Sequence, residues 1–169
     1  FLVNDSTPMI WRGPMVISAI KTLTEKVLWG DLDIMVIDMP PGTGDAQLTF
    51  AQDIKIDGAV IVSTPQDLAL VDVERGIEMF EKTELRIIGL IENMSFLKTE
   101  DGKIIDLCGK GGVEKVSKRY KKELLAQIPI HKDLRVSADV GKPIVIEKNE
   151  HEISKIFIEM AKKIKLSFD

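Results

Sequence analysis

The stretch DMPPGTGDAQ, Asp38 to Gln47, packs a carboxylate, two prolines and two glycines into one decapeptide. A carboxylate at the tip of a buried strand can hold a water of a magnesium ion that is bound to a nucleotide. Pro40 and Pro41 force the next residues to run extended. Gly42 and Gly44 let the backbone approach a phosphate closely, and Asp45 is a good N-cap for a helix from about Ala46. An isolated DxPxG could equally be a strand ending in a rigid turn, but the whole decapeptide carries more than a turn requires. A second stretch, GKGGVEKVS (Gly109 to Ser117), shares letters with the phosphate-binding pattern KGGxGK[ST]. Its chemistry is wrong for that task. Glu114 stands where glycine is needed, so a carboxylate would meet the phosphate charge and a side chain would block the backbone approach. Val116, after the lysine, has no hydroxyl for magnesium. The stretch also follows the polar loop KTEDGKIIDLC instead of a buried strand, so it reads as glycines leading into a helix, with Lys110 and Lys115 as surface charges.

A carboxylate such as Asp38 is useful only where a strand delivers it. Ile34 to Ile37 (IMVI), Ala59 to Val62 (AVIV) and Ile87 to Ile91 (IIGLI) are continuous apolar runs rich in branched residues. Such runs suit strands buried on both faces of a parallel sheet. Leu70, Val73, Ile77 and Phe80 recur at helical spacing after Pro65, and Val113, Val116, Tyr120 and Leu124 do so further on. A last helix carries Ile153, Ile156, Phe157, Met160, Ala161 and Ile164 on one face and Glu152, Lys155, Glu159, Lys162 and Lys163 on the other. Mixed signs on that polar face favour a helix closing the core over one lying on a bilayer. The βαβα alternation predicts an α/β fold: a doubly wound, mostly parallel sheet with flanking helices and ligands at the carboxyl ends of the strands.

With 169 residues, 44% hydrophobic and 30% charged, the chain is expected to form a single domain over residues 1–169. A formal charge of -4 supplies no general attraction to nucleic acid or anionic lipid. The single cysteine, Cys108, excludes an internal disulfide, and no apolar run is long enough to span a bilayer. A signal peptide is not evident in FLVNDSTPMIWRG. These features together predict a cytoplasmic protein.

VIDMPPGTGDAQLTFAQ, STPQDLALVDV (Ser63 to Val73) and GLIENMS (Gly89 to Ser95) resemble the Mrp/ApbC family of P-loop ATPases. WRGPM (Trp11 to Met15) and SADVGKPIV (Ser137 to Val145) fit as well, so the resemblance covers nearly the whole chain. Members are similar to MinD and ParA in fold and act as carriers or scaffolds for iron-sulfur clusters. The resemblance implies ATP and Mg2+ as cofactors, with Asp38 as the catalytic and metal-side switch II carboxylate and Gly42 close to the terminal phosphate. It further implies that Asn93 reads the adenine edge through its carboxamide, which offers both donor and acceptor. Pro129, after Leu125 to Ile128, falls where the family brings backbone against the base. A homodimer and iron-sulfur apo-protein partners are implied in the same way.

Two departures qualify that expectation. The family's phosphate loop lies ahead of WRGPM and is not among these residues, so the fold is expected to be incomplete at its N-terminus and the chain alone inactive in ATP hydrolysis. Many members also carry CxxC after the ENMS block, and two such pairs across a dimer can hold a cluster through four thiolates. Here Thr99 and Gly102 stand at those places. A lone Cys108 reads as a small apolar residue, and His131 and His151, far apart in sequence, read as surface residues. The alternatives are a MinD- or ParA-type positioning ATPase and a non-catalytic dimerisation or docking module.

Overall fold

The computed structural model describes residues 13–39, 44, 47–48, 52 and 54–168. They fall into two compact units, Phe1–Ile56 and Asp57–Asp169.

The second unit is built on a mostly parallel sheet. Strand β1 (Ala59–Ser63) leads through helix α2 (Asp67–Lys82) to the long strand β2 (Ile87–Lys98). A short strand β3 (Ile104–Ile105), helix α3 (Gly112–Tyr120) and strand β4 (Leu124–Ile130) follow. Both β1 and β4 pair with β2 in parallel, and β3 folds back antiparallel on its far end. Helices α4 (Lys132–Asp139), α5 (Ile144–Glu147) and α6 (Glu152–Leu166) complete the unit. The α/β architecture and the parallel pairing agree with the branched apolar runs, because strands buried on both faces have no polar face to show.

Two apolar clusters cover the two faces of the sheet. On one, Val73 and Ile77 of α2 meet Leu90 and, from α3, Val113 and Val116, with Leu70 and Tyr120 at the margin. On the other, Ile156, Phe157, Met160 and Ile164 of α6 pack on Ile91, Leu125 and Ile128. The apolar face of the last helix thus packs on the core, its side chains partly buried and each contributing a fraction of the about 1.5–3 kcal/mol that full burial is worth. Among the described residues no helix is long and apolar enough to cross a membrane.

Some boundaries differ from those the sequence suggests. Helix α3 ends at Tyr120, because Lys121 turns left-handed at φ 54° and its N–H bonds back to Lys118 O. Leu124 consequently opens β4 instead of extending the helix, and its N-terminal neighbour Glu123 accepts from Leu90 N–H at 2.8 Å. Pro129 lies within β4 and is buried, not in a loop after it. The β2–β4 register is irregular between Asn93 and Leu97, opposite Pro129, as expected where a residue without N–H interrupts a ladder.

In the first unit, helix α1 spans Gly13–Glu25. Ile34 to Ile37, expected to be a strand, is neither strand nor helix. Val36 is 89% exposed and Ile34 51%. A strand needs hydrogen-bonded neighbours to satisfy its backbone, and none of the ladders contains these residues, so apolar composition by itself does not make one.

Close approach of the loops after β1 and β3 demands glycine. A Cβ on Gly112 would lie 2.3 Å from the Pro65 carbonyl oxygen and 2.8 Å from Leu70 Cδ1. Gly112→Ala is expected to cost about 1–3 kcal/mol through overpacking against rigid backbone, read as a lower urea midpoint at unchanged slope.

Candidate nucleotide site

Glu92 is the fixed point at the carboxyl end of β2. Its carboxylate is fully buried and is held by three donors. Ser95 Oγ donates to Oε1 at 2.6 Å, Gln127 Nε2 donates to the same oxygen at 2.8 Å, and Val113 N–H donates to Oε2 at 2.9 Å. Those donors come from β2 itself, from β4 and from the first turn of α3. A carboxylate at a helix N-terminus satisfies a free backbone N–H and complements the helix dipole. Helix α3 needs this long-range cap because its own N-cap, Gly111 at φ 59°, has no side chain to offer. The glycines of GKGGVEKVS thus open a helix, as the sequence indicates, with Lys110 and Lys115 both exposed.

Asn93 follows Glu92 within β2, half-buried, opposite Ile128 of β4. Its Oδ1 accepts from Met94 N–H at 2.9 Å. Met94 adopts φ 53°, which ends the regular parallel pairing of β2 just where the carboxamide emerges. The Asn93 amide nitrogen keeps its donors free among the described residues. Pro129 succeeds Ile128 on the adjacent strand, so two of the sequence-predicted residues, Asn93 and Pro129, share one edge of the sheet. Asp38 belongs to the first unit, with an exposed side chain and no strand beneath it. Gly42 lies outside the described residues.

Loops following β1 and β3 enclose an open cavity of about 580 Å³ between α2 and α3, lined among others by Pro65, Asp67, Glu74, Cys108, Lys110 and Arg119. Cys108 is a half-buried free thiol in this wall. The positions of the family's cysteine pair form a hairpin turn between β2 and β3. Gly102, at φ 82°, donates its N–H to Thr99 O at 2.9 Å, and Thr99 N–H reaches Lys103 O at 2.9 Å. Lys103 and the Thr99 hydroxyl hold the Asp101 carboxyl below its ordinary range. This turn carries oxygen and ammonium groups where thiolates would be needed.

His131 and His151, read from the sequence as separate surface residues, come together with ring centroids 4.9 Å apart. Glu92 was missed as well. Its signal was present: an acidic residue inside an otherwise apolar run destined for two-sided burial must find partners.

An open, mostly parallel sheet with helices packed on both faces makes the second unit an α/β fold. The fold matches MinD, the cell division ATPase of Pyrococcus furiosus, with a TM-score of 0.62 at 24% identity, over 91% of this chain and 58% of that one. The chain belongs to the ParA-type family of NUBPL iron-transfer P-loop NTPases, which it matches over residues 1–165. A nucleotide-binding protein of Archaeoglobus fulgidus, solved in complex with ADP, is 40% identical, with a TM-score of 0.70 over 82% of this chain and 56% of that one. The iron-sulfur cluster carrier protein of Haemophilus influenzae is 47% identical over 165 residues, which is 97% of this chain and 45% of the relative. The chain thus spans about half the length of the curated relatives it matches.

Glu92→Ala is expected to destabilise the second unit by about 2–4 kcal/mol, since two buried donors, Ser95 Oγ and Val113 N–H, lose their acceptor and the Gln127 bond is lost as well. Glu92→Gln should be much milder: its carbonyl oxygen can face Val113 N–H while the Ser95 hydroxyl and the Gln127 amide rotate to accept. Urea denaturation of the two variants separates these outcomes.

Proposed function

We propose that this chain forms the base-recognising part of an ATP-dependent iron-sulfur cluster carrier that acts as a homodimer and delivers its cluster to apo-proteins. The observation that supports this reading best is the Asn93 carboxamide, pinned by Met94 N–H beside Glu92 and adjacent to Pro129, with its amide donors free among the described residues at the carboxyl end of a parallel strand. Adenine presents a donor and an acceptor on one edge, and a carboxamide of fixed orientation can meet both. ATP with Mg2+ suits the donor set, because a hard cation favours carboxylate oxygen and Asp38 is an exposed carboxylate in a glycine-rich setting. When bound, the magnesium nucleotide supplies the phosphoryl group and the charge that neutralises its transfer. Asp38 would be the residue that accepts hydrogen bonds from water at the magnesium nucleotide and orients it. Asn93 orients the base, and Glu92 keeps Asn93 and α3 in register. Phosphate-cradling backbone is assigned to the part of the relatives' length that this chain does not span.

The cluster is cargo in this reading. Thr99 and Gly102 do not supply thiolates, so its ligation is assigned elsewhere than the hairpin turn. A bilayer-positioning role is disfavoured by α6, whose apolar residues pack on Ile91, Leu125 and Ile128.

In a protein extended to the length of the relatives, ATP is expected to bind with magnesium, and Asp38→Ala to abolish turnover while leaving binding measurable. Unchanged hydrolysis in that variant would remove Asp38 from the mechanism. For the 169-residue chain, calorimetry should show no micromolar affinity for ATP, since the phosphate contacts are assigned outside it.

A further inference from the structure

The junction of β4, α4 and α6 gathers a donor set apart from the residues assigned above to the nucleotide. His131 ends β4 and caps α4, with Nδ1 accepting from Asp133 N–H at 3.1 Å. His151 caps α6 in the same way, with Nδ1 accepting from Ile153 N–H at 3.2 Å. Each imidazole is thereby held in orientation by a backbone N–H that its Nδ1 accepts. Asp133 lies between them, its Oδ2 3.7 Å from His151 Nε2. One donor atom from each of His131, Asp133 and His151 falls within 4.8 Å of the others, and all three residues are half-buried.

We propose that His131, Asp133 and His151 form a binding site for one divalent transition-metal ion of the zinc class. Two imidazoles and a carboxylate make a three-ligand set that leaves a fourth position for water. Imidazole nitrogen selects such ions over magnesium and calcium, which take oxygen donors. Tetrahedral ligation at about 2.0–2.2 Å per bond sets donors about 3.4 Å apart. The present spread therefore has to close by about an ångström, within reach of side-chain rotation. Asp133 already binds a cation in this structure: Lys148 Nζ lies 2.5 Å from its Oδ2.

Two features set the strength of the site. Lys148 occupies the cation position beside Asp133, in an ion pair that is half-exposed on both sides, and it must move away when a metal enters. The Nδ1 atoms that accept backbone N–H leave the ring proton on Nε2. Ligation through Nε2 moves that proton to Nδ1 and so breaks the backbone bond, and ligation through Nδ1 takes the lone pair that the backbone N–H uses. Metal binding thus competes with the caps of α4 and α6, which puts the site among exchangeable ones.

The test is titration of the tag-free chain with zinc and cobalt(II) in a non-chelating buffer, read by calorimetry and by the visible absorption of cobalt. Saturable binding of one ion per chain is expected, with little response to magnesium. His131→Ala, His151→Ala and Asp133→Asn should each weaken binding by about 100-fold or more, beyond the effect of losing an outer partner. Cys108→Ser should leave it unchanged. Lys148→Ala should tighten it, a gain that misfolding does not produce. No saturable binding, or binding indifferent to the histidine variants, would overturn the proposal, as would weaker binding in Lys148→Ala.

Discussion

The second unit depends on one buried carboxylate. Glu92 sits at 0% exposure where water cannot solvate it, and such a charge persists in a fold only when its oxygens are fully engaged. Three donors from three elements meet that demand. Their geometry fixes β2 against β4 and fixes the start of α3 against both. Because the neighbouring residue is Asn93, the same constraint decides where a carboxamide projects from the sheet. The buried clamp and the residue proposed to read the base occupy consecutive positions of one strand.

From this clamp the rest of the unit can be followed outward. Helix α3 starts with Gly111 and Gly112 because the chain must pass close to the Pro65 carbonyl, and a helix that starts on glycines has no local cap. Glu92 supplies one from a distance. The loops on either side of that contact then frame the cavity that contains Cys108. Beyond Asn93, β2 leaves the parallel core at Met94 and continues into a hairpin whose turn holds Thr99 and Gly102. A rigid hydrogen-bonded turn at that place is compatible with the missing cysteines, since it satisfies its own backbone without a metal.

Much of the architecture was legible from apolar runs. AVIV and IIGLI became parallel strands, and the helical periodicity of α2 and α6 predicted the residues that face the sheet. IMVI obeyed the same rule and is not a strand, because composition records that a segment can be buried and not which neighbour pairs with it. Lys121 ended α3 early through a left-handed conformation that a lysine does not advertise. Pro129 was placed one element away from its position for a related reason, since a proline was read as a turn although a ladder irregularity accommodates it. At the site, Asn93 and Pro129 were singled out through the family resemblance and lie on adjacent strands, whereas Glu92 and the pairing of His131 with His151 depend on contacts between residues far apart in sequence. Long-range polar partners leave little trace in local pattern, and here only the incongruity of an acid within an apolar strand pointed to one.

The central claim is that Asn93, held by the Glu92 clamp, recognises the base. The most direct measurement is the calorimetric affinity of the protein, extended to the length of its relatives, for ATP and for its inosine counterpart, which presents a carbonyl where adenine has an amino group. The account predicts a clear preference for ATP that Asn93→Ala erases, with both affinities converging on the weaker value. An Asn93→Ala protein that keeps the full preference would contradict it.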